Sequence, residues 1–193
     1  MRLVDASEIE GLPFVAEGLV AVIQGRDILG LPLDHGELEE WLREPPRHLA
    51  GMVVEGDLRA KYPISNTEPK GAFLWVKGNL EVPDLSLHGS RVRVDGELQT
   101  RALTGPIEVL GNLRCQLLYA QPRPIHVHGS LAARLVVGRI FTDPSTAIVG
   151  WWNEEGLLHP DLLVKGVAED RLVRGAIAMG QPLFADSEDE DED

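Results

Sequence analysis

The sequence predicts an all-β chain folded as a single β-solenoid of about five to six coils. Three observations carry that expectation. A five-residue pattern, aliphatic-any-Gly-small polar or acidic-Leu, recurs five times. Its copies are Val54-Glu55-Gly56-Asp57-Leu58, Val76-Lys77-Gly78-Asn79-Leu80, Val94-Asp95-Gly96-Glu97-Leu98, Val109-Leu110-Gly111-Asn112-Leu113 and Val127-His128-Gly129-Ser130-Leu131. The glycines are 22, 18, 15 and 18 residues apart, so each unit is too short to fold alone and must stack on its neighbours. Finally, hydrophobic residues make up 44% of the chain but aromatics only 5%, as ladders of Val, Leu and Ile would require.

The elements follow in order. Residues 1–50 are expected to cap the N-terminal end. Gly18 to Gly25 is β-branched and reads as a strand, with Ile23-Gln24-Gly25 a degenerate first motif. Asp34 to Arg43 reads as a short helix, with Asp34 as N-cap, Glu37 completing a capping box and Pro45-Pro46 ending it. Residues 51–182 are the solenoid and its C-terminal closure. Strand alternation points the first aliphatic and the Leu of each motif inward. Glycine is expected where the chain bends or where a side chain would strike the adjacent coil. Second strands are expected at Asp84–Leu87, Arg114–Leu118 and Arg134–Val137, a loop at 61–71 and a tight turn at 120–124. Residues 148–152 and 162–167 read as strands of a last coil, and 168–178 as a short helix or a closing strand. Residues 183–193, with Ser187 to Asp193 a run of charge, are expected to form a disordered acidic tail.

Register follows from the repeat: equal motif positions should stack about 4.8 Å apart. The second position then gives Glu55, Lys77, Asp95, Leu110 and His128, which opens as an alternating charge ladder on an outer face. Such a ladder explains these charges without a catalytic role.

The net charge of -13 is uneven. Residues 1–50 carry 4 basic and 10 acidic side chains, residues 51–140 carry 11 and 8, and residues 141–193 carry 3 and 13. Acidity on this scale argues against nucleic acid and anionic lipid and leaves a basic protein surface as the fitting partner. No stretch is apolar enough to span a membrane and the N-terminus lacks a signal-peptide pattern, so a cytoplasmic location is expected. Cys115 is the single cysteine and reads as a small buried hydrophobe.

No P-loop, nucleophile elbow, metalloprotease or zinc-ribbon spacing is present, so the chain is expected not to be an enzyme and to need no cofactor. A hexapeptide-acyltransferase period shows at Val76, Val82 and Val94 but fails at His88, Thr100 and Pro106. His126 and His128 face one way on a strand, yet two ligands do not complete a metal site, and no metal is expected. The expected contacts are with protein. Phe73 and Trp75 flank the inward Leu74 and should face out, with Arg91 and Arg93 one coil on, unless the loop at 61–71 or an N-terminal segment covers them. Trp151 and Trp152 place one ring in and one out. Glu188, Asp189, Glu190 and Asp191 of the tail complete the candidate partner-binding residues.

The Val-x-Gly-[Asp/Asn/Glu]-Leu coils over residues 51–140 resemble the repeats of bactofilin-type, polymer-forming β-solenoids of bacteria. Those polymerise end to end through uncapped ends, whereas the long non-repetitive flanks here are consistent with caps. In overall character the chain is also similar to capped β-solenoids of bacterial polymorphic-toxin loci, where small acidic proteins act as immunity factors. The resemblance implies a non-catalytic protein-binding solenoid, in its sharpest form an immunity-type inhibitor of a toxin, as a monomer or small oligomer. The alternative it implies is a self-assembling bactofilin-like scaffold.

Overall fold

The structure is a computed structural model that describes residues 2–24, 49–61, 63–66, 72–87, 90–143, 148–152, 157–165 and 167–185. These residues are mostly β and form a solenoid of about four turns together with one α-helix. The helix expected at 34–43, most of the loop at 61–71 and residues 186–193 of the tail expected at 183–193 lie outside the described residues. The start of that range is not a disordered tail: Leu183 is buried in the C-terminal helix's cluster and Phe184 bridges Leu158.

The chain winds through three faces. The first stacks β2 (Leu19–Gln24), β3 (Leu49–Glu55), β6 (Phe73–Val76), β9 (Val92–Val94), β12 (Ile107–Val109) and the ends of β13 (Leu113–Val127) and β14 (Leu131–Thr142). The second stacks β4 (Leu58–Arg59), β7 (Leu80–Glu81), β10 (Leu98–Gln99) and the starts of β13, β14 and β15 (Ile148–Trp152). The third stacks β5 (Ile64–Asn66), β8 (Asp84–Leu87), β11 (Ala102–Thr104), the middles of β13 and β14, and the end of β15. All these ladders are parallel. One strand is not: β1 (Arg2–Asp5) pairs antiparallel with β2 at the edge of the first face.

The register is the one the repeat predicts. Val54, Val76, Val94, Val109 and Val127 are successive cross-strand partners. So are Leu58, Leu80, Leu98, Leu113 and Leu131. All ten are buried in one aliphatic core that also takes Leu85, Leu103, Leu118 and Val136 from the third face. Ile23 and Gln24 pair with Val54 and Glu55, so the first strand keeps the same register.

Collision, rather than bending, explains most of the motif glycines. A Cβ on Gly96 would lie 2.6 Å from the carbonyl oxygen of Gly78, and one on Gly111 would lie 2.3 Å from that of Gly96. The motif's polar position has a reason that the sequence does not announce. The Asp57 carboxylate accepts from the Asn79 amide N–H at 2.7 Å, the Asn79 side-chain oxygen from the Glu97 N–H at 2.8 Å, and the Asn112 side-chain oxygen from the Ser130 N–H at 2.9 Å. A short side-chain acceptor thus satisfies a backbone donor one coil on, at a corner where the regular ladder is interrupted.

Three expectations need correction. Residues 64–66, within the expected loop at 61–71, are the strand β5 and pair with β8. Residues 120–124 are not a turn but lie within β13, and the pairing with β14 shifts register between Ala120 and Ile125. Pro122 and Pro124 lack an amide to donate and sit in that unpaired stretch. Residues 162–167 do not enter the last coil. They form a 3-10 turn (Pro160–Leu162) and part of a separate antiparallel hairpin, β16 (Leu163–Val164) with β17 (Val167–Ala168). Residues 168–178 resolve to the helix α1 (Asp170–Ala178). Its N-cap Glu169 accepts from the Leu172 N–H at 2.8 Å. It ends at Gly180 (φ 65), where Gly180 N–H donates to the Ile177 carbonyl and Gln181 N–H to that of Ala176, a Schellman closure.

Cys115 is partly rather than fully buried, packed against the aliphatic core, and desolvation there pushes its thiol pKa up to about 12. A thiol held protonated is a poor nucleophile. A thiol-reactive dye at pH 8 is therefore expected to label the native protein many times more slowly than the urea-unfolded chain; equal rates would show that the site is open.

Candidate protein-binding face

Side-chain parity gives the solenoid three outer faces, and the chain covers much of two itself. On the third face, Ala102, Leu117, Tyr119, Leu135 and Val137 point outward and are buried beneath residues 157–185, chiefly Val173, Ala176 and Ile177 of α1. The Tyr119 hydroxyl is buried there without a well-formed hydrogen bond, and burial together with the nearby Asp170 carboxylate pushes its pKa up to about 12. A clamp fixes the end of this cover. Arg101 holds the buried Asp84 through two bonds, Nε to Oδ1 at 2.8 Å and Nη2 to Oδ2 at 2.7 Å, and its Nη1 donates to the Gln181 carbonyl at 2.8 Å.

On the first face the expected aromatic pair is placed as parity requires and then covered. Phe73 and Trp75 point out of the solenoid core but are only 3% and 6% exposed. With Val20, Val22 and Val53 they form a second apolar layer under the N-terminal arm, against Val4, Ile9, Leu12 and Phe14. The rings of Phe14 and Phe73 are 4.8 Å apart. Arg91 belongs to the same cover, since its guanidinium lies 5.3 Å from the Phe14 ring and donates to the Val15 carbonyl at 3.2 Å. Of the alternatives weighed on sequence, cover by an N-terminal segment is the one realised, and Phe73 and Trp75 offer no free surface in this state.

Along the flank of this face runs a chain of polar contacts that extends the expected ladder. Gln24 Nε2 donates to Glu55 at 2.7 Å. Lys77 Nζ lies 3.5 Å from Glu55 and 4.8 Å from the Trp75 ring centroid. Trp75 Nε1 donates to Asp95 at 2.9 Å, Arg93 bridges Asp95 at 2.8 Å and Glu108 at 3.3 Å, and His128 lies between Glu108 at 3.2 Å and Asp143 at 3.1 Å. The Gln24 hydrogen bond, helped by Lys77 and opposed by slight burial, holds the Glu55 carboxyl below the usual carboxylate range. Arg93 is thus a ladder member with both ends engaged. The carboxylates flanking His128 contact opposite ring nitrogens, so they do not converge on one ion; among the described residues no cluster suited to a metal appears.

Beyond the arm the first face opens. One column runs Trp75, Arg93, Glu108, His126, Phe141 as successive cross-strand partners. It starts on the covered Trp75 and ends on Phe141, which is 54% exposed and stacked on His126 at 4.9 Å. Sequence reasoning missed Phe141. The signal was available, because Phe141 has the outward parity of His126 one coil on. Trp151 and Trp152 pair with Leu135 and Val136 along the backbone, while the placement of their rings and the residues Glu188, Asp189, Glu190 and Asp191 lie outside what the structure describes. The second face stays open and polar, with Arg59 paired to Glu81 at 2.9 Å and Arg114 to Glu97 at 3.1 Å.

No described helix is long and apolar enough to cross a membrane. No protein-family model, curated protein or solved structure matches this chain.

Proposed function

We propose that the chain is a non-catalytic protein-binding β-solenoid, and in its sharpest form an immunity-type inhibitor of a bacterial toxin, acting in the cytoplasm. The observation that carries this reading is the exposed Phe141–His126 stack on the uncovered half of a face whose other half is sealed. An exposed aromatic set among engaged charges is the composition of an interface anchor. Glu108 and Asp143, on either side of His128, set acidic groups beside it and favour a basic partner. In this reading the N-terminal flank caps a solenoid of about five to six coils, and the acidic tail steers a cationic partner at a rate that falls with salt. Affinity capture from the native host tests it, with the wild-type chain and a Phe141→Ala variant in low and high salt. The expected result is a basic protein that binds the wild type, weakens about tenfold or more with Phe141→Ala and is neutralised on co-expression. Capture of no basic protein, or equal capture by both chains, counts against it.

A second reading, a self-assembling scaffold, is favoured by one observation. Ile148 begins the last solenoid strand and is 42% exposed, and among the described residues β15 pairs only with β14. A parallel edge of this kind could accept another solenoid end to end. Light scattering that shows a strict monomer at high concentration rules this out.

A further inference from the structure

We propose that the edge of the first face at Ile140–Asp143 is completed by one extended segment of the protein partner, which adds as the next parallel strand and reads aliphatic, apolar, aliphatic, basic. The proposal rests on the reading of Phe141 as a contact residue and adds how the partner is held. The three faces stop at different heights at this end. β15 continues the second and third faces one strand beyond β14, whereas among the described residues no strand pairs with the far side of Ile140, Phe141 and Thr142. The first face therefore ends in a step one strand deep.

The backbone at this step is aimed outward. On this face the inward residues donate to the following coil: Leu74 N–H to the Arg91 carbonyl at 2.9 Å and Val92 N–H to that of Pro106 at 3.2 Å. The inward carbonyls at the strand ends accept from the following coil: Val76 from Asp95 N–H and Val109 from His128 N–H, both at 2.9 Å. Ile140 continues the column of Leu74 and Val92, and Thr142 that of Val76 and Val109. The Ile140 N–H and the Thr142 carbonyl thus point to where the next strand would lie, and such an edge is a template for strand addition.

The side chains define the segment that fits. Ile140 is only partly buried against the aliphatic core, and Ile148, in register with the inward Leu131, is 42% exposed. The core is open here, and two aliphatic side chains of an added strand would cover it. On the outer side, an apolar residue would pack beside the exposed Phe141. The charges along the flank alternate through Asp95, Arg93, Glu108, His128 and Asp143. The series stops on the Asp143 carboxylate, whose side chain is 51% exposed and contacts His128 on the inner side. A cation is the complementary next member, directly after the second aliphatic. The chain's own β6 and the residue after it have this order in Leu74, Trp75, Val76 and Lys77.

The probe is accordingly a capped peptide with the sequence of residues 72–78, titrated into the full chain while amide exchange is followed by NMR. At saturation the Ile140 amide is expected to exchange about tenfold more slowly or less, with the second face unchanged. Asp143→Asn in the protein, or Lys77→Glu in the peptide, should each weaken binding about two- to fivefold. N-methylation of the peptide at Lys77 removes the donor to the Thr142 carbonyl and should abolish binding. An Ile140 amide that exchanges as fast with millimolar peptide as without it overturns strand addition. Equal binding of the N-methylated and unmodified peptides also overturns it, and equal binding of the lysine and glutamate peptides overturns the assigned chemistry. The Phe141 reading fails separately, if Phe141→Ala captures a basic partner as well as the wild type does, whatever the Ile140 amide shows.

Discussion

Gly111→Ala is expected to destabilise the solenoid by about 3 kcal/mol, while Gly175→Ala is expected to stabilise it by about 0.5–1 kcal/mol. The two substitutions add the same methyl group, so the contrast isolates the environment. At Gly111 the new Cβ would meet the Gly96 carbonyl oxygen at 2.3 Å and its carbon at 2.5 Å. Both are backbone atoms of the adjacent coil, and no rotamer moves them. Relief requires the two coils to separate locally, which would stretch the bond from Leu110 N–H to the Val94 carbonyl at 2.9 Å and the stacked Val94–Val109 and Leu98–Leu113 pairs. Strain at one coil is passed to its neighbours because each coil is held only by the next. At Gly175, on α1, nothing lies within 4 Å of the added atom, and the helix gains from the lost backbone freedom of glycine. Urea unfolding followed by tryptophan fluorescence measures both. For a chain of this size the shift in melting temperature is roughly 2–4 °C per kcal/mol. Gly111→Ala as stable as wild type would mean that the coils are not stacked at this spacing.

The same geometry explains what could be read from the sequence and what could not. The stacked valines and leucines were legible because each ladder repeats one residue type at one motif position, and unequal coil lengths are absorbed at the third corner. Phe73 and Trp75 were legible in direction, since parity alone sends them outward beside Leu74. Their cover was not, because Val4, Ile9, Leu12 and Phe14 share no periodicity and touch the face only through the fold of the arm. Asn79 and Asn112 appeared only as small polar residues; their role is a hydrogen bond to the next coil, and no local pattern shows it. Residues 120–124 were misread because Pro122 and Pro124 signal turns in isolation, whereas proline is also tolerated where strand pairing lapses. For 168–178 the deciding signals were Glu169 as N-cap and Gly180 as the left-handed stop. Of the expected partner contacts, parity could have pointed to Phe141, one coil beyond His126 in the column that starts at Trp75.

Arg101→Ala is expected to cost about 3–5 kcal/mol, and Asp84→Ala distinctly less, although each removes one partner of the same pair. The asymmetry follows from burial. The Asp84 side chain is 2% exposed and the Arg101 side chain 30% exposed. With Arg101 gone, a carboxylate remains in the interior with both oxygens stripped of charged donors. With Asp84 gone, the guanidinium can turn to water and keep its bond to the Gln181 carbonyl. The double variant should therefore be more stable than Arg101→Ala alone, because it removes the orphaned charge along with its partner. Arg101→Lys should recover little, since an ammonium cannot make the paired contacts of Nε and Nη2 and also reach Gln181. The loss should be concentrated where the clamp acts. Gln181 follows the Schellman closure of α1, so hydrogen exchange in Arg101→Ala is expected to rise first over residues 170–183 and only later in the stacked coils. Uniform exchange across the chain, or a double variant less stable than Arg101→Ala, would show that the pair does not couple the C-terminal cover to the solenoid.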